Sequence, residues 1–244
     1  MAARNVLLLP GMMCDARMWQ AQIDALDVPV LVPYLGNHDN LADMAASVLA
    51  DAPDEFAIAG LSMGGILAFE LWRQAPQRVS HLALIDTNPF ADAPQRKSLR
   101  LEQIEQVLAG ELRKLTVESL KPLYLAQCNR DDHELLETIL DMAVDLGPEV
   151  FRRQSLALQN RQDSTALLAD IRCPAAVICG REDALCPVAY HEYMAARIPG
   201  ADLLIIDDCG HFATMEQPAA VTNELLHLFA QESLTGENHA QRSG

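Results

Sequence analysis

The sequence predicts an α/β protein: a mostly parallel six-stranded sheet with helices on both faces and a helical cap. Three observations lead there. Short β-branched or Leu-rich runs alternate with longer amphipathic stretches, the alternation is broken only once, and 244 residues, half of them hydrophobic, suffice for one large core.

The strands are expected near Val6 to Leu9, Pro29 to Val32, Phe56 to Ala59, Val79 to Ile85, Ala175 to Cys179 and Asp202 to Ile206. Each is a short apolar run bounded by polar or turn-forming residues, as buried strands are. Helices are expected near Ala16 to Leu26, Leu41 to Ala50, Met63 to Gln74, Val188 to Arg197 and Pro218 to Phe229, with Pro76 and Pro199-Gly200 as stops. From about Asn88 to Asp170 the strand signal disappears. Leu, Ala, Glu and Arg dominate there, with breaks at Gly110, Lys121-Pro122 and Gly147-Pro148. An all-helical insertion at the carboxyl end of a sheet lies where open α/β sheets bind ligands, so it is read as a cap. Residues 1–87 and 171–231 then form the core, 88–170 the cap, and 232–244 a polar, disordered tail.

A formal charge of -16 with no basic stripe argues against nucleic acid as a partner. Pro10-Gly11 interrupts the first apolar run before it could serve as a signal-peptide core, and no stretch approaches a membrane span, so the cytoplasm is the expected location. The six cysteines contain no Cys-x-x-Cys pair and no two histidines stand at i,i+4. No metal or cofactor is therefore expected, and the cysteines are expected to remain thiols, with Cys14 and Cys209 near the site argued below.

The most informative segment is Gly60-Leu61-Ser62-Met63-Gly64-Gly65, at a strand-to-helix joint. A serine on so sharp a turn is forced toward a strained backbone, and small residues two positions either side let strand and helix approach. The pattern alone also fits a glycine-rich turn in which Ser62 caps the helix. Its neighbours decide. His211, in Asp207-Asp208-Cys209-Gly210-His211-Phe212, follows the last strand and can reach Ser62 as a base. Asp183, in the loop Gly180 to Pro187, follows the preceding strand and can orient that base; Asp86 competes for this role and Glu182 does so more weakly. Backbone N–H groups of Met63 and of Met12, in the loop Pro10-Gly11-Met12-Met13, are the oxyanion donors.

With these segments in the order Ser62, Asp183, His211, the chain resembles the α/β-hydrolase superfamily from about Val6 to Phe229. The resemblance rests on Leu9-Pro10-Gly11-Met12, the elbow at Gly60 to Gly65, Gly180-x-x-Asp183-x-x-x-Pro187, and Gly210-His211 with Glu216 and Pro218. Two departures stand out: Pro10 occupies a place where family members often carry His before the glycine, and the chain starts at what corresponds to the family's third strand. The second is similar to small capped members such as pimeloyl-carrier methyl esterases, enol-lactonases and carbon–carbon bond hydrolases.

The resemblance implies a serine hydrolase cleaving an ester or thioester of a small apolar acyl substrate through an acyl-enzyme. A lyase or perhydrolase on the same fold, or a ligand receptor with a slow triad, are the alternatives. Substrate choice is expected from Met13, Leu123, Tyr124, Leu185 and Phe212, beside Met12 and Met63. Ten of the 18 Lys and Arg fall between residues 88 and 170, with 14 of the 34 acids, so the cap is less acidic than the rest. A carboxylate-bearing substrate or an acidic acyl carrier docking on Arg96, Lys97 and Arg100 is one reading of these charges; solvated helix faces are the more ordinary one. The expected partner is a small-molecule ester.

Overall fold

The computed structural model describes residues 2–232, and the expected tail from 233 onward lies outside them. Six parallel strands run in the order β2-β1-β3-β4-β5-β6. They are β1 (Val6–Leu9), β2 (Val30–Leu31), β3 (Phe56–Leu61), β4 (Val79–Ile85), β5 (Ala175–Gly180) and β6 (Asp202–Ile206). Strand β2 is shorter than expected. Pro29 and Pro33 flank it and lack the N–H a ladder needs, so Pro29 contributes only its carbonyl, to the Val6 N–H at 3.0 Å. Conversely, β3 runs on through Gly60 and Leu61, which pair with Leu84 and Ile85 of β4.

Side chains alternate between two cores, as the period of a strand requires. Leu7 and Leu9 of β1 and Phe56 and Ile58 of β3 face α2 (Leu41–Asp51) and α3 (Met63–Gln74). Val6, Leu8, Ala57, Ala59 and Leu61 face the opposite layer, which includes α10 (Pro218–Ala230) through Val221, Leu225, Leu228 and Phe229. The expected first helix divides into a 3-10 turn, Ala16–Trp19, and α1 (Gln20–Ala25), both on that second face. The expected helix from Val188 to Arg197 is α8 (Val188–Ala195) followed by a turn.

Between β4 and β5 the chain is helical: α4 (Pro94–Gln106), α5 (Leu112–Leu115), α6 (Lys121–Tyr124) and α7 (His133–Gln159), the last bent at Gly147, where φ is 81°. Gly110, at φ 96°, makes the break between α4 and α5. A third apolar cluster, with Ile104, Val107, Leu112, Leu115, Ala143, Val150 and Phe151, ties these helices to one another. Among the described residues no helix is long and apolar enough to cross a membrane.

The register carries the fold's contribution to chemistry. Leu9 pairs with Gly60, Leu61 with Ile85, Ile85 with Ile178 and Gly180 with Ile206, so the carboxyl ends of five strands are level. Four non-glycine residues with positive φ follow those ends: Met13 (57°), Ser62 (55°), Asp86 (45°) and Asp208 (51°). Left-handed backbone at such residues costs on the order of 1–3 kcal/mol and persists where surroundings over-determine it.

Candidate active site

Ser62 sits alone between β3 and α3, and its backbone is held from both sides. Its N–H donates to the Ile85 carbonyl at 2.9 Å, and its carbonyl accepts from Thr87 Oγ1 at 2.7 Å. The turn is possible because strand and helix touch: a Cβ on Gly60 would lie 2.5 Å from the Gly64 carbonyl, and one on Gly64 would lie 2.0 Å from the Leu9 carbonyl oxygen. Ser62 does not cap α3, since its side chain makes no capping hydrogen bond. Its Oγ lies instead 2.9 Å from His211 Nε2.

His211 is buried, and its Nδ1 lies 2.8 Å from Asp183 Oδ2. An ionised carboxylate only accepts, so Nδ1 carries the proton and Nε2 is left to accept from Ser62. The other Asp183 oxygen accepts from the Leu185 N–H at 2.7 Å and the Cys186 N–H at 2.8 Å. The turn-aspartate reading and the orienting-acid reading thus describe one side chain, each with its own oxygen. Both competing acids are occupied elsewhere. Buried Asp86 accepts from the Gly180 N–H at 2.9 Å through one oxygen and from the Ala213 N–H at 3.0 Å through the other, bracing the acid loop and the histidine loop from below. Burial, and then the charge of Asp183, pushes its carboxyl well above the usual carboxylate range. Glu182 faces outward and accepts from the Gln127 N–H at 2.9 Å.

Met12 and Met63 border a cavity of about 410 Å³ that opens onto Ser62 and His211, and among the described residues neither N–H has an acceptor. Leu123, Tyr124, Leu185 and Phe212 line the same cavity. Met13 does not. Its N–H donates to Gln154 Oε1 at 2.8 Å, and its side chain packs with Ile104 and Val107, because the left-handed turn at Met13 carries it away from the cleft. It belongs to the apolar cluster between helices rather than to the substrate surface. Sequence reasoning missed Asn88, Gln103, Phe151 and Arg161 in the cavity wall, and Lys97 does not line it. Arg96, Leu99, Arg100, Gln103 and Gln106 stand at helical spacing on α4, a signal that was available.

Around these groups lies a second set that sequence reasoning left without roles. Glu216, in the short helix α9 (Ala213–Glu216), accepts from the Gly210 N–H at 2.9 Å and the Phe212 N–H at 3.2 Å through Oε1. Through Oε2 it accepts from the Ala126 N–H at 2.8 Å and from Asn129 Nδ2 at 3.0 Å. The His211 N–H donates to the Tyr124 carbonyl at 2.6 Å. A strap from Tyr124 to Asn129 is therefore pinned directly over the histidine loop. His191 is buried and accepts from the Thr87 N–H through Nε2 at 3.0 Å, supporting the residue that holds the Ser62 carbonyl. Burial lowers its imidazole to about 4.

For a metal, the group of donors that converges among the described residues is Asp183, Cys186 and His211, whose ligand atoms lie within 4.8 Å of one another. Their hydrogen bonds already commit both His211 nitrogens and both Asp183 oxygens, and burial pushes the Cys186 thiol above its ordinary range, so these donor atoms are engaged with other partners rather than free for an ion. Cys14 and Cys209 are also buried, and desolvation raises both thiols, which disfavours the thiolate that oxidation needs.

Comparison with known proteins gives the same architecture. A pimeloyl-[acyl-carrier protein] methyl ester esterase from Aromatoleum aromaticum is 28% identical over 88% of this chain and 93% of its own length. A putative carbamate hydrolase, RutD, from Serratia proteamaculans is 28% identical over 86% of this chain and 84% of its own. A thermophilic esterase from Thermogutta terrifontis, solved with malate bound, superposes with a TM-score of 0.86 at 30% identity, covering 94% of this chain and 92% of that one. Residues 6–224 match the model of the Alpha/beta hydrolase family. With a six-stranded parallel sheet, a serine on the strand-to-helix elbow and most of its length matched, the chain belongs to the alpha/beta hydrolase family.

Proposed function

We propose that the protein is a serine hydrolase of carboxylic esters. The observation that carries this reading is the unbroken relay from Ser62 Oγ to His211 Nε2 (2.9 Å) and from His211 Nδ1 to Asp183 Oδ2 (2.8 Å). Ser62 Oγ attacks the ester carbonyl as His211 takes its proton, giving a tetrahedral oxyanion. The Met12 and Met63 N–H groups receive that oxyanion, each donor being worth roughly 2.7–4 kcal/mol in such sites. His211 then gives the proton to the leaving alcohol, and the acyl-Ser62 ester is hydrolysed by water that His211 deprotonates in turn. Asp183 holds the imidazole tautomer and stabilises the imidazolium at each stage.

The names of the relatives, esterases of a carrier-linked methyl ester and of a thermophile and a carbamate hydrolase, support acyl transfer to water as the class of reaction. The test is covalent. A fluorophosphonate probe is expected to label the wild-type chain, with the adduct mass on the peptide containing Ser62; a probe that labels another residue, or labels Ser62→Ala equally, contradicts the proposal.

A further inference from the structure

Helix α4 turns an unusual face toward Ser62. Arg96, Leu99, Arg100, Gln103 and Gln106 share one stripe of the helix, and all border the cavity. A pocket built for a wholly apolar acyl chain gains nothing from guanidinium groups there. Arg161, just beyond α7, lines the same cavity although only 7% exposed.

One carboxylate serves two of these three arginines. Asp92, wholly buried, accepts from Arg100 Nε at 2.6 Å through one oxygen and meets Arg161 Nη1 at 2.5 Å through the other. Arg161 is fixed further by donating from Nε to the Phe90 carbonyl at 2.7 Å and from Nη1 to the Leu158 carbonyl at 3.2 Å. Arg100 reaches across to the oxyanion loop, where its Nη1 lies 3.9 Å from Met12 Sδ, and its Nη2 meets no acceptor among the described residues. Arg96 has no ion pair or hydrogen bond among the described residues. Burial pulls Arg161 down from its ordinary value, Asp92 opposes that pull, and the positive charges of Arg100 and Arg96 add to it. Three guanidiniums against one carboxylate leave an excess of two positive charges in this cluster beside the cavity, in a chain whose net charge is -16. The same cavity is also lined by the apolar residues Leu61, Met63, Ile66, Leu185 and Phe212.

Resting on the serine-hydrolase reading, we infer that the substrate is an ester that also bears a carboxylate, and that Arg96 and Arg100, steadied by the Asp92–Arg161 pair, bind that carboxylate while its apolar chain lies against the apolar lining residues. A guanidinium fork matches a carboxylate with two parallel, charge-assisted hydrogen bonds, which a neutral amide cannot accept with equal strength. A phosphate or phosphonate presents the same oxygens to the fork.

The experiment compares kcat/KM for methyl hemiesters of succinate, glutarate and adipate with that for the same esters ending in a carboxamide. A phosphonate-ended ester and O-acetylglycolate, which carries its carboxylate on the leaving side, complete the panel. At least one anionic ester is expected to be favoured about tenfold or more over its neutral counterpart. The preference is expected to collapse toward unity in Arg96→Gln and to persist in Lys97→Gln, which removes the same charge from the same helix outside the cavity. Whether carboxylate or phosphonate is preferred identifies the anion. Equal rates for charged and neutral esters overturn the inference while leaving the hydrolase reading intact; equal loss of preference in Lys97→Gln overturns it too, by making the effect a diffuse field. If no ester is turned over, the hydrolase reading fails instead. Calorimetry of glutarate against its neutral diamide on the wild-type chain then decides the inference separately: tighter binding of glutarate, lost in Arg96→Gln, upholds it, and equal or absent binding overturns it.

Discussion

The strap from Tyr124 to Asn129 and the histidine loop share one carboxylate, which makes Glu216→Gln an informative perturbation. In the wild type each Glu216 oxygen accepts two hydrogen bonds, Oε1 from Gly210 and Phe212 in the loop and Oε2 from Ala126 and Asn129 in the strap. Glutamine has one accepting oxygen and one donating nitrogen. Whichever way its amide turns, two of the four bonds are lost and donors face donors. Hydrogen bonds to a charged group contribute about 1.5–3 kcal/mol each, and water replaces part of that at this half-buried site, so a net loss of about 2 kcal/mol is expected. For a chain of this size that lowers Tm by roughly 4–8 °C. The His211 N–H still donates to Tyr124, so the strap loosens without leaving, and a misplacement of His211 by a fraction of an ångström is expected to lower kcat about tenfold. Thermal melts, hydrogen exchange at the Ala126 and Gly210 amides, and kcat and KM on one ester are the assays. Wild-type Tm and wild-type exchange at both amides would refute the bracing role of Glu216.

Two further outcomes follow from buried contacts. His191 is held neutral, at about 4, so the folded state binds fewer protons than the unfolded state between pH 4 and the ordinary imidazole range near 6.5; its contribution, about 3 kcal/mol, is complete above that range and is lost as pH falls toward 4. Urea melts across this window are expected to show a shallower acid loss in His191→Gln than in the wild type, and parallel pH profiles would contradict it. Gly64→Ala is expected to cost at least about 2 kcal/mol in denaturant melts, because its Cβ would meet the Leu9 backbone at 2.0 Å, whereas Gly11→Ala, whose nearest neighbour would be at 3.4 Å, is expected to cost less than about 1 kcal/mol; equal costs would show that strand and helix are not in contact at the elbow.

What the sequence made legible was whatever depends on local chemistry. Strand ends, the glycines around Ser62 and the breaks at Gly110 and Gly147 declare themselves through backbone constraints that act within a few residues. The order Ser62, Asp183, His211 was readable for the same reason, since each residue follows its own strand. The division of labour between Asp86 and Asp183 was not readable. Both follow adjacent strands, and only the level register of β4, β5 and β6 decides that Asp183 reaches His211 while Asp86 accepts N–H groups beneath it. Met13 was misread because a single left-handed residue reverses the direction of its side chain, and a residue in a Met-Met pair does not announce which of the two faces the cleft. Likewise, Arg161 lies 61 residues beyond Arg100, and only the folding of α7 back against α4 brings both to Asp92.

The central claim is that Ser62 is the nucleophile, and the most direct test is the rate of ester hydrolysis by Ser62→Ala at matched folding. Removing Oγ leaves His211, Asp183 and the backbone donors in place. A fall in kcat of at least about 10³-fold, with an unchanged Tm, is predicted; hydrolysis at the wild-type rate would remove Ser62 from the mechanism.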